Sequence, residues 1–420
     1  MNHQGQKTIV TDAVTVLQID KVQAVALAVC TYYLGVWIKH RFAVLDRLSV
    51  PSPVVGGMLF AAVASTLEYF GIFKLQIDST LQTVLMLVFF TTIGLMASLK
   101  VLTQGCKVLV GFLAAVTVLL LLQNGLGMGL AEMMGLDRHY GILAGSVSMM
   151  GGLGTAAAFG PYFEQTYGIT GGTGLAVTAA TFGMAVALSI GAPFGEWLIH
   201  RYRVATPKLV ASPEPKLHMP DDMHTDIVHE HAHEAPTFTD ELMKAGSIIA
   251  LAMGLGTVVS QFLGDFVTLP AYIGSMIVAA LIRNIGDFSG KYKVDGKGLN
   301  ALADISLVLF VTMAINSLKL HELLHLAIPL VVILVAQTLL MLIFAWAVIF
   351  FCFGRNYDAV MLAVGGIGFS MGATANGLAN MQAMSEKYGS SPKAWLIVSV
   401  VGAFLIDLIN ALAIIWLGTF

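Results

Sequence analysis

Long apolar runs separated by short polar segments set the pattern of this chain. A first set lies at Val22–Ile38, Pro53–Phe70, Leu81–Leu99, Val108–Leu130 and Gly174–Ile199. A second lies at Gly246–Gly264, Phe266–Ile282 (interrupted by Pro270), Leu299–Leu318, Ala327–Gly354 and Trp395–Leu417. Each is near the ~17–25 residues a helix needs to cross a bilayer, so the pattern predicts ten crossing helices. Between the sets, Arg201–Thr239 is rich in proline and polar residues and has no apolar periodicity, which marks a linker.

Two further stretches are apolar in setting but glycine-rich: Ala144–Gly160 (AGSVSMMGGLGTAAAFG) and Gly365–Gln382 (GGIGFSMGATANGLANMQ). Glycine-rich backbone in hydrocarbon leaves amides and carbonyls unpaired unless protein or a water-filled cavity surrounds it. Two readings fit each stretch alone, a kinked close-packed helix or a re-entrant segment at a substrate site. Their occurrence as a pair, after the fourth and ninth runs, favours the second.

The halves are internally similar. At an offset of 219, Leu143–Ala144 match Leu362–Ala363, Thr155–Ala156 match Thr374–Ala375, and Gly183 matches Gly402. The same offset pairs Trp197–Leu198 with Trp416–Leu417 and Ser98–Lys100 with Ser317–Lys319. One offset held over so long a span reads as a duplication.

Basic residues give the orientation. With an external N-terminus and ten crossings, only Lys7, Lys21, Lys74, Arg138 and Lys319 of the 22 Lys and Arg fall outside, the bias expected of cytoplasmic loops. Both termini are then external, each half crosses five times, and the halves are inverted. The predicted fold is an all-α polytopic membrane protein of ten transmembrane helices in two inverted five-helix repeats, each with a re-entrant glycine-rich hairpin. Its parts are an external segment 1–21, a first repeat 22–200 with re-entrant loop 142–162, a cytoplasmic linker 201–243, and a second repeat 244–420 with re-entrant loop 360–382.

Composition agrees. The chain has 420 residues, 57% hydrophobic and 11% charged, with a mean hydropathy of +0.82; so apolar a surface is not kept in water. Met1–Lys21 has no apolar core of a cleavable signal. Cys30, Cys106 and Cys352 are scattered and odd in number, which suits buried thiols and not a disulfide framework. The tract Met223–Glu234 holds four histidines; a solvated loop is the first reading and metal binding the second.

Segments entering from opposite faces would meet near the midplane, with amides and helix N-termini turned to an anion and free carbonyls to a cation. The substrate-binding candidates are Ser146, Ser148, Gly151, Gly152, Gly154 and Thr155 in the first stretch. In the second they are Ser370, Gly372, Thr374, Asn376 and Asn380. The competing reading is that the hydroxyls bond their own helix carbonyls. Asp407, with Asn410 on the same helical face, is the candidate site for Na⁺ or a proton, against a structural buried carboxylate. Asp304, Asn316 and Gln123–Asn124 are weaker candidates. No HExxH, P-loop or nucleophile-elbow motif stands in a credible setting, so no catalytic residue and no enzyme is expected. Neither a ring of like charge nor a soluble signalling domain points to a channel or a sensor.

Several stretches resemble the bacterial sodium/glutamate symporter family: PSPVVGGML (51–59), FFTTIGL (89–95), LAGSVSMMGGLGTAAAF (143–159), GRNYDAVMLA (354–363), GATANGLANMQAMSEKYG (372–389) and VGAFLIDLINAL (401–412). The resemblance runs from about Pro51 to Leu417. It implies a sodium-coupled importer of glutamate or a related small carboxylate, with Na⁺ as coupling ion and no cofactor. It further implies an inner-membrane homodimer in contact with lipid, an elevator-type motion, and no nucleic-acid partner. A sodium- or proton-coupled carrier of another dicarboxylate is the alternative. The family's motifs look like GGHGT and GATP; Leu153 stands here for the His and Ala375 for the Pro. Losing the imidazole removes a polar contact and losing the proline frees backbone, so both departures bear on which carboxylate is carried.

Overall fold

The computed structural model describes residues 9–11, 14–42, 45, 50–98, 107–207, 237–264, 271–290, 297–320 and 325–419. The apolar runs are helices, because backbone in hydrocarbon must find its hydrogen bonds within its own segment. The first half contains α1 (Lys21–Arg41), α2 (Ser52–Tyr69), α3 (Thr80–Met96) and α4 (Lys107–Met133). Next come α5 (Arg138–Ile142), continued by a π-helical stretch Leu143–Val147, a break, and α6 (Gly152–Tyr167), before α7 (Gly172–Tyr202).

The same order recurs in the second half. It contains α8 (Phe238–Gly264), α9 (Ala271–Ser289), α10 (Lys297–Asn316) and α11 (Ala327–Phe344, extended by a π-helical stretch Ala345–Phe350). Then α12 (Tyr357–Ser370), a break, and α13 (Thr374–Tyr388) precede a last rod. That rod is α14 (Pro392–Val400), a π-helical stretch Val401–Leu405, and α15 (Ile406–Gly418).

Among the described residues six helices are long and apolar enough to cross a membrane: α1, α4, α7, α8, α10 and α11 with its extension. The protein is therefore a multi-pass membrane protein, and the shorter members of the sequence count include α3, with 17 residues. Helices run into the expected linker at both ends, α7 to Tyr202 and α8 from Phe238. The histidine tract and Pro270 lie outside the described residues.

One element has no counterpart in the all-helical reading. Strands β1 (Ile9–Thr11), β2 (Val14–Ile19) and β3 (Phe73–Ile77) form a small sheet in the order β1-β2-β3. The β1–β2 pair is antiparallel, and β2–β3 is parallel with Thr15 opposite Phe73 and Ile19 opposite Ile77. The segment Val14–Ile19, rich in β-branched residues (Val14, Thr15, Val16, Ile19), suits a strand. Asp20 then starts α1 with a capping box: its carboxylate accepts from the amides of Val22 and Gln23, and Gln23 Oε1 accepts from the Asp20 amide, satisfying orphan donors reciprocally.

The two halves share several local features. Asp137 caps α5 and Asn356 caps α12, each accepting a backbone amide, and they are 219 positions apart. At the base of each broken helix a tyrosine hydroxyl donates to the carbonyl just beyond the second arm: Tyr140 to Thr170 O at 2.7 Å, Tyr357 to Gly389 O at 2.5 Å. Near each break a hydroxyl donates to the next long helix, Ser148 Oγ to Ala176 O and Thr374 Oγ1 to Gly402 O.

Packing sorts the helices into two groups. One holds α1, α2, α3, α8, α9 and α10; the other holds α4, α7, α11, the two broken helices and the last rod. In the second group α4 and α5 approach backbone to backbone at Gly127 and Gly141, where any β-carbon would collide with the opposing main chain. Small residues at such contacts let membrane helices pack without the hydrophobic drive that water supplies.

Candidate functional site

The two breaks meet. Gly152, the first residue of α6, has φ +63°, and a β-carbon there would collide with the carbonyl oxygen of Gly372 in the second break. The arms are helical rather than uncoiled, and the breaks are short: residues 148–151 in the first, 371–373 in the second. Glycine is required at 152 twice over, because the left-handed region is costly for other L-residues and because the opposing backbone fills the space.

Beside the meeting point lies a cavity of about 510 Å³. From the breaks it is lined by Gly151, Gly152, Gly154, Thr155, Gly372 and Thr374, all expected from the sequence. Leu153 and Ala375, the two departures from the family's pattern, also line it. The first helix group closes the other side with Phe89, Thr92 and Asp304, and the last rod adds Gly402 and Asp407.

The cavity has a distinct electrostatic character. Both α6 and α13 start at its wall, and neither start carries a side-chain cap, as is also true of α2, α3, α7 and α11. Uncapped first-turn amides carry partial positive charge and attract carboxylates. Among the described lining residues the charged groups are Asp304 and Asp407, with no Lys or Arg. A ligand bearing both a carboxylate and a cationic group finds a partner for each.

The remaining expected residues are buried but do not line the cavity. Ser146 is pinned by Asn124, whose Nδ2 donates to Ser146 Oγ at 2.8 Å and whose Oδ1 accepts from Ser146 N at 3.1 Å. Ser148 Oγ is spent on Ala176 O at 2.8 Å and on Leu143 O. Asn376 Nδ2 donates to Met184 O at 3.3 Å and Asn380 Nδ2 to Ala187 O at 3.0 Å, tying α13 to α7. Asn410 Nδ2 donates to Ser146 O at 3.1 Å, so Asp407 and Asn410 lie in different surroundings despite their spacing. Ser370 supplies its carbonyl to Gln123 Nε2 at 2.9 Å.

Two local irregularities set these positions. Gly145, inside the stretch Leu143–Val147, has non-helical backbone (φ −90°, ψ −127°); beside it the Ser146 amide points to Asn124 and the Ser146 carbonyl to Asn410. The π-helical stretch Val401–Leu405 includes Gly402, whose carbonyl accepts Thr374 Oγ1. A wider turn of this kind frees main-chain acceptors and is common at functional sites. Gln337 was missed by sequence reasoning. It donates to Gln123 O at 2.7 Å, and its signal was that of a lone amide in an apolar run, which is worth reading as a candidate by default.

Comparison with known proteins bears on this geometry. The sequence model of the family described as "Sodium/glutamate symporter" matches residues 17–390. A sodium/glutamate symporter of Escherichia coli K12 is 37% identical over 398 residues, covering 94% of this chain and 96% of the relative. A sodium/glutamate symporter of Haemophilus influenzae is 35% identical over 395 residues, covering 93% and 95% respectively.

Proposed function

The chain belongs to the sodium/glutamate symporter family, a family of transporters and not of enzymes, and we propose that it imports glutamate or a related small carboxylate together with Na⁺. The observation that carries this reading is the cavity in which two uncapped helix starts face two aspartates across about 510 Å³. The carboxylate side of an amino acid is held by the first-turn amides of α6 and α13. Thr155 adds a hydroxyl, Thr374 offers only its lone pairs because its proton goes to the Gly402 carbonyl, and Asp304 accepts from the ammonium. Asp407 supplies the hard oxygen of a coupling cation at the cavity, with Asn410 one turn further on the same rod.

Residues behind the wall position it. Ser146, Ser148, Asn376 and Asn380 hold the two breaks against α4 and α7, which fixes the direction of the amides. Movement is that of an elevator: the group containing both broken helices slides as one body past the group α1–α3 and α8–α10. Backbone contact between α4 and α5 favours this, since elements touching through main chain have little room to move separately.

The test is uptake of labelled glutamate into proteoliposomes. Accumulation above equilibrium is expected with an inward Na⁺ gradient, and equal uptake with and without that gradient rejects symport. A panel of dicarboxylates in the same assay reads out what Leu153 and Ala375 do to the choice of substrate.

We further infer inverted repeats of five spans each, with external termini in an inner membrane, supported by the basic-residue distribution and the recurring element order. Single cysteines in a chain freed of Cys30, Cys106 and Cys352 test it. Gln165→Cys, near the base of the first broken helix, is expected to react with an impermeant thiol reagent from outside only. Ser390→Cys, at the base of the second, is expected to react from inside only. Labelling of both from one side rejects the inversion.

A further inference from the structure

Behind the cavity a relay of carboxamides crosses three helices. Gln337 on α11 donates Nε2 to Gln123 O at 2.7 Å, and Gln123 on α4 donates Nε2 to Ser370 O at 2.9 Å, at the end of α12. All three residues are 0% exposed. Each amide spends its nitrogen on a main-chain carbonyl, and three side-chain oxygens stay buried without a hydrogen-bond partner: Gln123 Oε1, Gln337 Oε1 and Ser370 Oγ. An unsatisfied buried acceptor costs about 1–3 kcal/mol, so three in one relay ask for a ligand.

The ligand chemistry follows from what these three atoms can do. Two of the three atoms are carbonyl oxygens, which only accept, and the third is a hydroxyl that accepts through its lone pairs. The relay ends where α12 ends, at Ser370, and the C-terminus of a helix carries partial negative charge. Acceptors at a helix C-terminus repel an anion and suit a cation. The ligands are neutral, as fits a monovalent ion, for which unwound carbonyls and helix C-termini are the usual partners in carriers. The cavity, which none of these three residues lines, presents the opposite arrangement, helix N-termini.

We propose that Gln123, Gln337 and Ser370 form a Na⁺ site, separate from the glycine-lined cavity and from Asp407. It rests on the sodium-coupled reading above and adds to it. The cation lies against the last turn of α12, whose following residues Gly372 and Thr374 line the substrate cavity. Filling this site orders the break from behind, so Na⁺ and substrate each favour the other's binding, as linkage requires.

The experiment is a sodium titration of the thermal unfolding of the purified full chain, without substrate, in choline chloride at constant ionic strength, with KCl as a second arm. The wild type is expected to rise in Tm with NaCl and to respond less to KCl. Ser370→Ala removes one oxygen and no existing hydrogen bond, so it folds, and its half-saturating NaCl is expected to rise about tenfold, the ~1.4 kcal/mol of one lost ligand. Gln337→Met is expected to shift in the same direction. A wild type that responds to NaCl while Ser370→Ala responds within twofold of it means the oxygens hold ordered water only; the site is then refuted and symport stands. A wild type indifferent to NaCl whose uptake also ignores the Na⁺ gradient refutes both.

Discussion

Replacing Gly152 by alanine is expected to cut glutamate transport by at least about tenfold while leaving the protein folded in the membrane. The residue sits at φ +63°, and the left-handed region costs a residue with a β-carbon about 1–2 kcal/mol. To this is added a collision with the carbonyl of Gly372, which is main chain and cannot rotate away. The breaks must separate, and the first-turn amides of α6 and α13 lose their common aim. One to two kcal/mol already corresponds to roughly five- to thirtyfold in affinity, and the collision adds to it. Gly129→Ala serves as the control, because it lies on α4 with nothing within 4 Å of its added carbon, and its uptake is expected to match wild type. Comparable initial rates for Gly152→Ala and Gly129→Ala would show that contact between the breaks is not what shapes the site.

Asp407→Asn is expected to raise the sodium concentration needed for half-maximal uptake by about tenfold or more, with a much smaller change in thermal stability in sodium-free buffer. The side chain lines the cavity beside Gly402, and the change keeps its shape while removing the charge. A carboxylate is a stronger ligand for a hard cation than a neutral amide oxygen, and the loss of one such contact falls within the tenfold-per-1.4 kcal/mol scale. Sodium dependence of uptake, measured at fixed glutamate, is the readout. An unchanged sodium curve removes Asp407 from cation binding and returns it to the role of a structural carboxylate. Together with Ser370→Ala the experiment asks whether one cation locus or two act on the same substrate.

Much of this architecture was legible in the residues themselves. Apolar length gives helices, and glycine density inside apolar sequence marks the two interrupted ones, because hydrocarbon leaves loose backbone few other places to exist. Gly151–Thr155 and Gly372–Thr374 could be assigned to the cavity for the same reason. The hydroxyls and amides could not be sorted from sequence. Ser148 and Thr374 both lie beside a break and both donate to a neighbouring helix carbonyl, yet only Thr374 lines the cavity. That difference depends on which way a broken helix is rolled, which a one-dimensional pattern does not carry. Asp407 and Asn410 were expected to act as one pair from their spacing of three. The π-helical stretch just before them, Val401–Leu405, and the reach of Asn410 to Ser146 send them to different neighbours. Gln337 was passed over because a single amide in an apolar run has no partner in the sequence; its partner, Gln123, is 214 positions away.

The pairing of β2 with β3 has a bearing on how the chain is made. Thr15 lies opposite Phe73 and Ile19 opposite Ile77, so the leading strand waits for its mate until about sixty more residues have been synthesised. At ~5–20 residues per second that is about 3–12 s, long enough for α1 and α2 to enter the bilayer as separate pieces first. The β2–β3 pair therefore closes only after both intervening helices have been made.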